Sequence, residues 1–467
     1  MTTSAKPIAG PHLVRYGTAA DQRFLLGDFL STYDQLVINA TMVAHIPGAI
    51  ASFITQRARL KPFCVDPQTH AFQHDIIHLQ SKSSRKPGEI KRSLKILLEA
   101  YGEPVASRVG QALQSVLPGD FRDSHTLQGF CERVLEFQLN AVERETTRAD
   151  VSKYYRYLFQ SKRMAPGPGF RPSALVAPYF YLTEATMRPW RTVNIKCAQL
   201  AQSWAASKGI PLAVQVVISR EVLRDPSLID DLVRAYEVVV PSLFLIWVDS
   251  FSEHSASERE LRALVQLFTG FAGIAPVVNL YGGFFSVALQ RLGLGGLVGV
   301  THGLEYGEER GVVPVGGGIP VAKFYLPALH KRVPFRDALR AVRALGGFRS
   351  ASAFRTVVCD CRQCRRVITT NPETDFAQYG EARSVSFVRS GQPITMEYPL
   401  PETKERCAAH YMWSKHREYR LSDREVLQSL SDARTRLGRV LGAEVAGHCK
   451  VWERVLSTLP GVGRNSK

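Results

Sequence analysis

LAVQVVI at residues 212–218 and LFLIWVD at residues 243–249 flank LIDDLVRAYEV at residues 228–238. The outer two runs are continuously apolar and rich in β-branched residues, the pattern of a strand buried on both faces. The middle segment is amphipathic with a helical period. Two buried strands joined by a helix form a parallel crossover. The same rhythm extends outward in both directions. Further strand-like runs lie at 36–39, 62–66, 175–182, 276–281, 296–300 and 323–326, with amphipathic segments at 193–208 and 257–271. Eight such runs in series place the chain in the α/β class, as a (β/α)8 TIM-like barrel. Residues 346–350 are a ninth candidate, so one of the nine falls outside the barrel.

Residues 80–172 interrupt the rhythm and read as a helical insertion. Leu94, Leu97 and Leu98 share one face, and Val134, Leu135 and Leu139 another. The insertion carries Lys82, Arg85, Lys86, Lys91, Arg92 and Lys95, then Lys153, Arg156, Lys162 and Arg163 beside Tyr154, Tyr155 and Tyr157. Basic residues interleaved with aromatics can follow a phosphate backbone and stack bases. A solvated helix face over packed tyrosines would give the same pattern. The stretch 165–172 (APGPGFRP) is a linker back to the barrel. The expected organisation is therefore a barrel start (1–79), the insertion (80–172), the rest of the barrel (173–355) and a C-terminal segment (356–467).

The C-terminal segment has a different character. Cys359, Cys361 and Cys364 place three soft ligands within six residues, and Cys407 or His410, three apart on an expected helix over 402–419, completes a tetrahedral set. Arg355, Arg362, Arg365 and Arg366 favour the thiolate forms. Four protein ligands leave no open position, so a zinc ion there would be structural, and the segment is a zinc-binding α+β unit. Residues 385–389 and 394–398 read as a hairpin, and Ser422 with Glu425 as a capping box.

The chain has 467 residues, of which 45% are hydrophobic, enough for a large core. With 59 Lys plus Arg against 42 Asp plus Glu, the net charge is +17. That balance suits a polyanion such as nucleic acid. No apolar run reaches the roughly 20 residues of a membrane span. No secretory signal pattern opens the sequence, so the expectation is a cytoplasmic protein with reduced thiols.

A (β/α)8 barrel followed by Cys-x-Cys-x-x-Cys and a later His resembles the tRNA-guanine transglycosylases and their DNA-modifying paralogues, which exchange guanine for a 7-deazaguanine. The resemblance covers about residues 35–80 and 240–420. It implies a three-Cys, one-His zinc site, favouring His410, although the gap from Cys364 to His410 is longer than in the family. DPQTHAFQ (66–73) resembles the family's Asp-Ser-Gly-Gly-Phe-Gln element, which implies Asp66 at the reacting base with Phe72 and Gln73 beside it. LIWVD (245–249) is similar to a strand whose final Asp reads the guanine edge, here Asp249. NLYGG (279–283) resembles the Val-Gln-Gly-Gly loop, implicating Gly282 and Gly283. LGGL (294–297) resembles the Gly-Gly-Leu strand, implicating Gly295 and Gly296. The implied partners are tRNA or DNA and a purine or 7-deazapurine base, with room for a protein partner or a homodimer.

The family's nucleophilic Asp lies between the last barrel strand and the cysteines, but LGGFRSASAFR (345–355) contains no carboxylate. Either Asp66 serves alone, or the chemistry differs, or the chain is a non-catalytic nucleic-acid-binding member. An unrelated barrel enzyme with a structural zinc is a further alternative. Independently of the resemblance, Asp66 and Asp249 end strands, where barrel enzymes gather their functional groups. Helix N-caps would look the same. His302, Glu305 and Glu308 follow a strand in a glycine-rich region. His70, His74 and His78 are spaced as on one helix face, without a recognisable metal motif.

Overall fold

The computed structural model describes residues 11–17, 19–54, 58, 61–81, 88–141, 171–304, 307–313, 321–389, 392–442 and 444–460. The chain divides into two compact units. The first comprises Met1–Phe251, Arg262–Gly282 and Gly295–Pro314, and the second Ser252–Leu261, Gly283–Leu294 and Val315–Lys467.

The first unit is an eight-stranded parallel sheet, nearly closed as a barrel, with helices around it. Its strands are β1 (His12–Tyr16), β2 (Gln35–Asn39), β3 (Phe63–Asp66), β4 (Leu175–Val176), β5 (Leu212–Ile218), β6 (Leu243–Val248), β7 (Val277–Asn279) and β8 (Leu297–Gly303). They neighbour one another in chain order, and β8 pairs with β1. An isolated parallel bridge between Cys64 and Ala174 joins β3 to the start of β4. Leu13, Val37, Cys64, Val176, Leu245 and Val278 belong to one buried cluster inside the barrel. Residues two positions further on, such as Arg15, Asn39, Asp66 and Trp247, therefore share the inner face nearer the C-terminal mouth.

Two strand assignments change. Residues 323–326 do form a strand, β9 (Lys323–Leu326), but it pairs antiparallel with β10 (Lys331–Pro334) in the second unit. The eighth barrel strand is instead β1, whose HLVRY sequence carries two polar side chains. Both His12 and Arg15 are only 2% exposed, and each is compensated by a distant partner, His302 and Asp66. Residues 346–350 are a turn rather than a strand.

The described part of the insertion is helical, with helices Arg92–Tyr101 and Ser124–Leu139. Helix Ser124–Leu139 is the barrel's own crossover between β3 and β4, and the Gln138 side chain bonds both the N–H and the carbonyl of Val176 at 2.8 Å. Leu94, Leu97 and Leu98 are buried as expected. Lys82, Arg85 and Lys86, the basic–tyrosine stretch 153–163 and most of the linker 165–172 lie outside the described residues.

The second unit contains the β9–β10 hairpin, a second hairpin of β11 (Ala382–Arg389) and β12 (Gln392–Pro399), and helices Pro401–Glu418, Asp423–Asp432 and Gly447–Thr458. Ser422 and Glu425 form the expected capping box. Its core includes Phe376, Met412 and Trp452. Among the described residues no helix is long and apolar enough to cross a membrane.

Candidate active site and metal centre

The metal centre lies wholly within the second unit. Cys359 and Cys361 precede the short helix Arg362–Val367, Cys364 lies in its first turn, and His410 projects from helix Pro401–Glu418. The four ligand atoms lie within 4.8 Å of one another. His410 Nδ1 is 3.8, 3.3 and 3.3 Å from the sulfurs of Cys359, Cys361 and Cys364. A tetrahedral ion with bonds of about 2.3 Å to sulfur and about 2.0 Å to nitrogen sets that separation near 3.5 Å. The group could therefore hold a metal ion, consistent with zinc.

The surroundings prepare the ligands. His410 Nε2 donates to the Tyr325 carbonyl at 2.6 Å, which leaves the Nδ1 lone pair facing the sulfurs. Phe324 stacks on the imidazole at 4.1 Å. The Cys361 N–H donates to Cys359 sulfur and the Cys364 N–H to Cys361 sulfur, each at 3.4 Å. Hydrogen bonding with the Cys359 and Cys364 side chains pulls the Cys361 thiol down to about 4. Cys407 turns away and bonds the Tyr379 carbonyl at 3.5 Å, so the fourth position goes to His410. Asp360 in the same loop is paired with exposed Arg365.

The first unit gathers a different chemistry at the C-terminal ends of its strands. Asp66 is fully buried and closely paired with Arg15. Its other oxygen accepts from Tyr179 Oη at 2.6 Å and from the Gln68 N–H at 3.0 Å. Burial disfavours the charge, but Arg15 and the tyrosine bond together hold Asp66 below the usual carboxylate range. Asp249 is half-buried. Its Oδ2 accepts from Tyr181 Oη at 2.8 Å and its Oδ1 from the Val312 N–H at 2.8 Å. No helix begins at Asp249, because the next one starts at Glu258, so it is not an N-cap.

The segment after β8 crosses this mouth. The Arg310 carbonyl accepts from Trp247 Nε1 at 3.2 Å, and Val312 packs among the barrel-lining side chains. Gly311 permits the approach: a Cβ there would come within 3.3 Å of both Ser250 Oγ and the Val313 carbonyl. Both aspartates are thus engaged by the protein's own donors, and the strap supplies one of those donors to Asp249.

Other expected site residues are placed as follows. Gln73 clamps the Tyr181 backbone, accepting its N–H at 2.6 Å and donating to its carbonyl at 3.0 Å, and so orients the tyrosine that holds Asp249. Phe72 points into the helical layer, edge-on to Tyr101. The Gly282 N–H bonds the Thr301 carbonyl at 3.1 Å, while Gly283 precedes a helix of the second unit. Gly295 and Gly296 are not at the mouth. They precede β8 and lie at its opposite, N-terminal end, each with φ +65°. A Cβ on Gly296 would come 2.1 Å from that of Ala272, so this glycine serves helix–strand packing. His302 aligns with Val14 and faces outward, stacked on His12 with their Nε2 atoms 2.7 Å apart. Glu305 lies outside the described residues, and Glu308 is half-buried.

His70, His74 and His78 do not share a helix face, and the Cys–His cluster is the metal-type grouping among the described residues. His70 lies at the mouth, stacked on Tyr179 at 5.2 Å. Burial pushes its pKa down to about 3, despite the opposing attraction of Asp66. Between pH 6.5 and about 3 the unfolded chain therefore binds a proton that the folded chain refuses, so stability falls as pH drops through that window. From pH 7 to pH 5 the loss is about 2 kcal/mol. We expect His70→Gln to reduce the fall in melting temperature between pH 7 and pH 5. An unchanged fall would assign the acid sensitivity to other groups.

Sequence reasoning missed Arg15, Tyr179 and Tyr181. The signal for Arg15 was a charge inside a strand-like run, together with the need of a buried Asp66 for a counter-charge. No protein-family model matches the chain, and no curated protein matches it.

Proposed function

We propose that the protein exchanges a guanine-type base in a nucleic acid, on a barrel of transglycosylase type with a structural zinc ion. One observation carries the reading: Asp66 and Asp249 stand at the C-terminal mouth of the barrel together with Trp247, Tyr179, Tyr181 and Tyr281. Aromatic walls suit a planar base, and a carboxylate facing it accepts the ring and exocyclic N–H groups of guanine. Asp249 is the base-edge reader, and the strap's Val312 N–H is the donor that a bound base would replace. Asp66, kept ionised by Arg15, supplies negative charge beside the reacting sugar. The +17 charge supports a polyanionic substrate. Zinc bound by Cys359, Cys361, Cys364 and His410 would fix the ligand-bearing segments and take no part in the chemistry.

A second reading, a non-catalytic nucleic-acid-binding protein, is favoured by the saturation of Asp66 and by the absence of a carboxylate from residues 345–355. Transfer of labelled guanine and 7-deazaguanine into tRNA and duplex DNA separates the two. Incorporation into either polymer supports exchange. Tight, salt-sensitive binding of a polymer without incorporation supports the second reading.

A further inference from the structure

Arg15 has more hydrogen-bonding capacity than the fold uses. It is 2% exposed, one nitrogen pairs with Asp66, and Nε and Nη1 have no hydrogen-bond partner among the described residues. A buried guanidinium with two unpaired nitrogens is costly. Its Cζ lies 5.1 Å from the Tyr281 ring and 5.9 Å from the Trp247 ring, so the charge sits among the aromatic side chains of the mouth. It is not alone. On the same inner face Gln215 is fully buried with both amide atoms unpartnered, and Asn39 Oδ1 and His70 Nδ1 are likewise unpartnered among the described residues. Most buried polar groups in proteins are paired, so a cluster of exceptions at one end of a barrel calls for a ligand that pairs them.

The chemistry of that ligand follows from the groups available. Asp249 offers only acceptors, whereas Arg15 offers only donors. A ligand answering both is planar and carries N–H groups on one edge and a ring carbonyl beside them. We propose that Arg15 reads the ring carbonyl oxygen of the incoming base and so sets which bases the mouth accepts. This rests on the base-exchange reading above and adds a specificity-determining residue to it. A purely structural counter-ion for Asp66 would not make ligand choice depend on Arg15.

Equilibrium dialysis of the full chain with guanine, 7-deazaguanine and 2-aminopurine tests this. 2-Aminopurine keeps the ring and the 2-amino group but has hydrogen in place of the carbonyl and with it loses the N1–H that Asp249 accepts, so Arg15 accounts for the part of the ratio that the variant below removes. Guanine and 7-deazaguanine should bind alike, and 2-aminopurine about 100-fold more weakly, because a site built to donate hydrogen bonds rejects a ligand lacking the acceptor. In the double variant Arg15→Met, Asp66→Asn, which removes the charge pair together, the ratio should fall to about 10 or less. Equal binding of guanine and 2-aminopurine by the wild-type protein would overturn the proposal, and this comparison decides even if the variant does not fold. A ratio that persists in a folded variant would make Arg15 a counter-ion only. Failure of every purine to bind the wild-type protein would remove the base-exchange reading itself, a result distinct from the other two.

Discussion

Cys361→Ser is expected to remove zinc binding by the Cys–His group and to melt well below the wild type. Cys361 sulfur is 3.3 Å from His410 Nδ1 and accepts the Cys364 N–H, so it contributes both to the metal and to the turn that holds a second ligand. A serine hydroxyl is a harder ligand, less acidic than a thiol, and binds zinc poorly beside two thiolates. The ligands join the start of helix Arg362–Val367 to helix Pro401–Glu418, and the histidine is fixed through the carbonyl of Tyr325 on β9. Because metal binding is coupled to folding, its loss should cost several kcal/mol, or roughly 10 °C in melting temperature for a unit of this size. Cys407→Ser is the control. Its sulfur bonds the Tyr379 carbonyl and stands outside the ligand group, so metal content should be retained. Metal analysis with calorimetric melting checks both variants. Full zinc retention and unchanged melting in Cys361→Ser would contradict the assignment.

On the proposed base-exchange function, Asp249→Ala is expected to spare folding and to abolish base binding. The side chain is half-buried at the mouth, Tyr181 is half-buried so its Oη can turn to solvent, and the buried Val312 N–H loses its acceptor. The expected stability cost is about 2 kcal/mol, which leaves the fold intact. For a bound base the loss is larger, since two N–H groups would be buried without an acceptor. A fall in affinity of about 100-fold or more is expected. Asp249→Asn should fare no better, because its amide presents a donor wherever it turns an –NH2 toward the base. Circular dichroism and isothermal titration with guanine check the pair. Binding that survives Asp249→Ala would refute the role.

The periodicity of the chain made most of the barrel legible, because strands buried on both faces are continuous apolar runs. It failed at β1, where His12 and Arg15 break the run and their burial depends on His302 and Asp66, far away in sequence. It failed at β9 because KFYL reads the same in a parallel barrel as in a short hairpin. The cysteine ligands were legible from spacing alone. The fourth was not, since residues three apart on a helix point in similar directions, and only the bonds of His410 to Tyr325 and of Cys407 to Tyr379 separate them. The strand-end positions of Asp66 and Asp249 are legible because each closes an apolar run. Gly295 and Gly296 were misplaced because a glycine pair before a strand serves a tight turn as readily as a ligand.

The most direct test of the account is transfer of labelled 7-deazaguanine into tRNA and duplex DNA, run side by side for wild-type and Asp249→Ala protein. The account predicts incorporation into one polymer by the wild type and none by the variant. Equal incorporation by both would contradict the barrel mouth as the site. No incorporation by the wild type, with no purine bound, would contradict base exchange altogether.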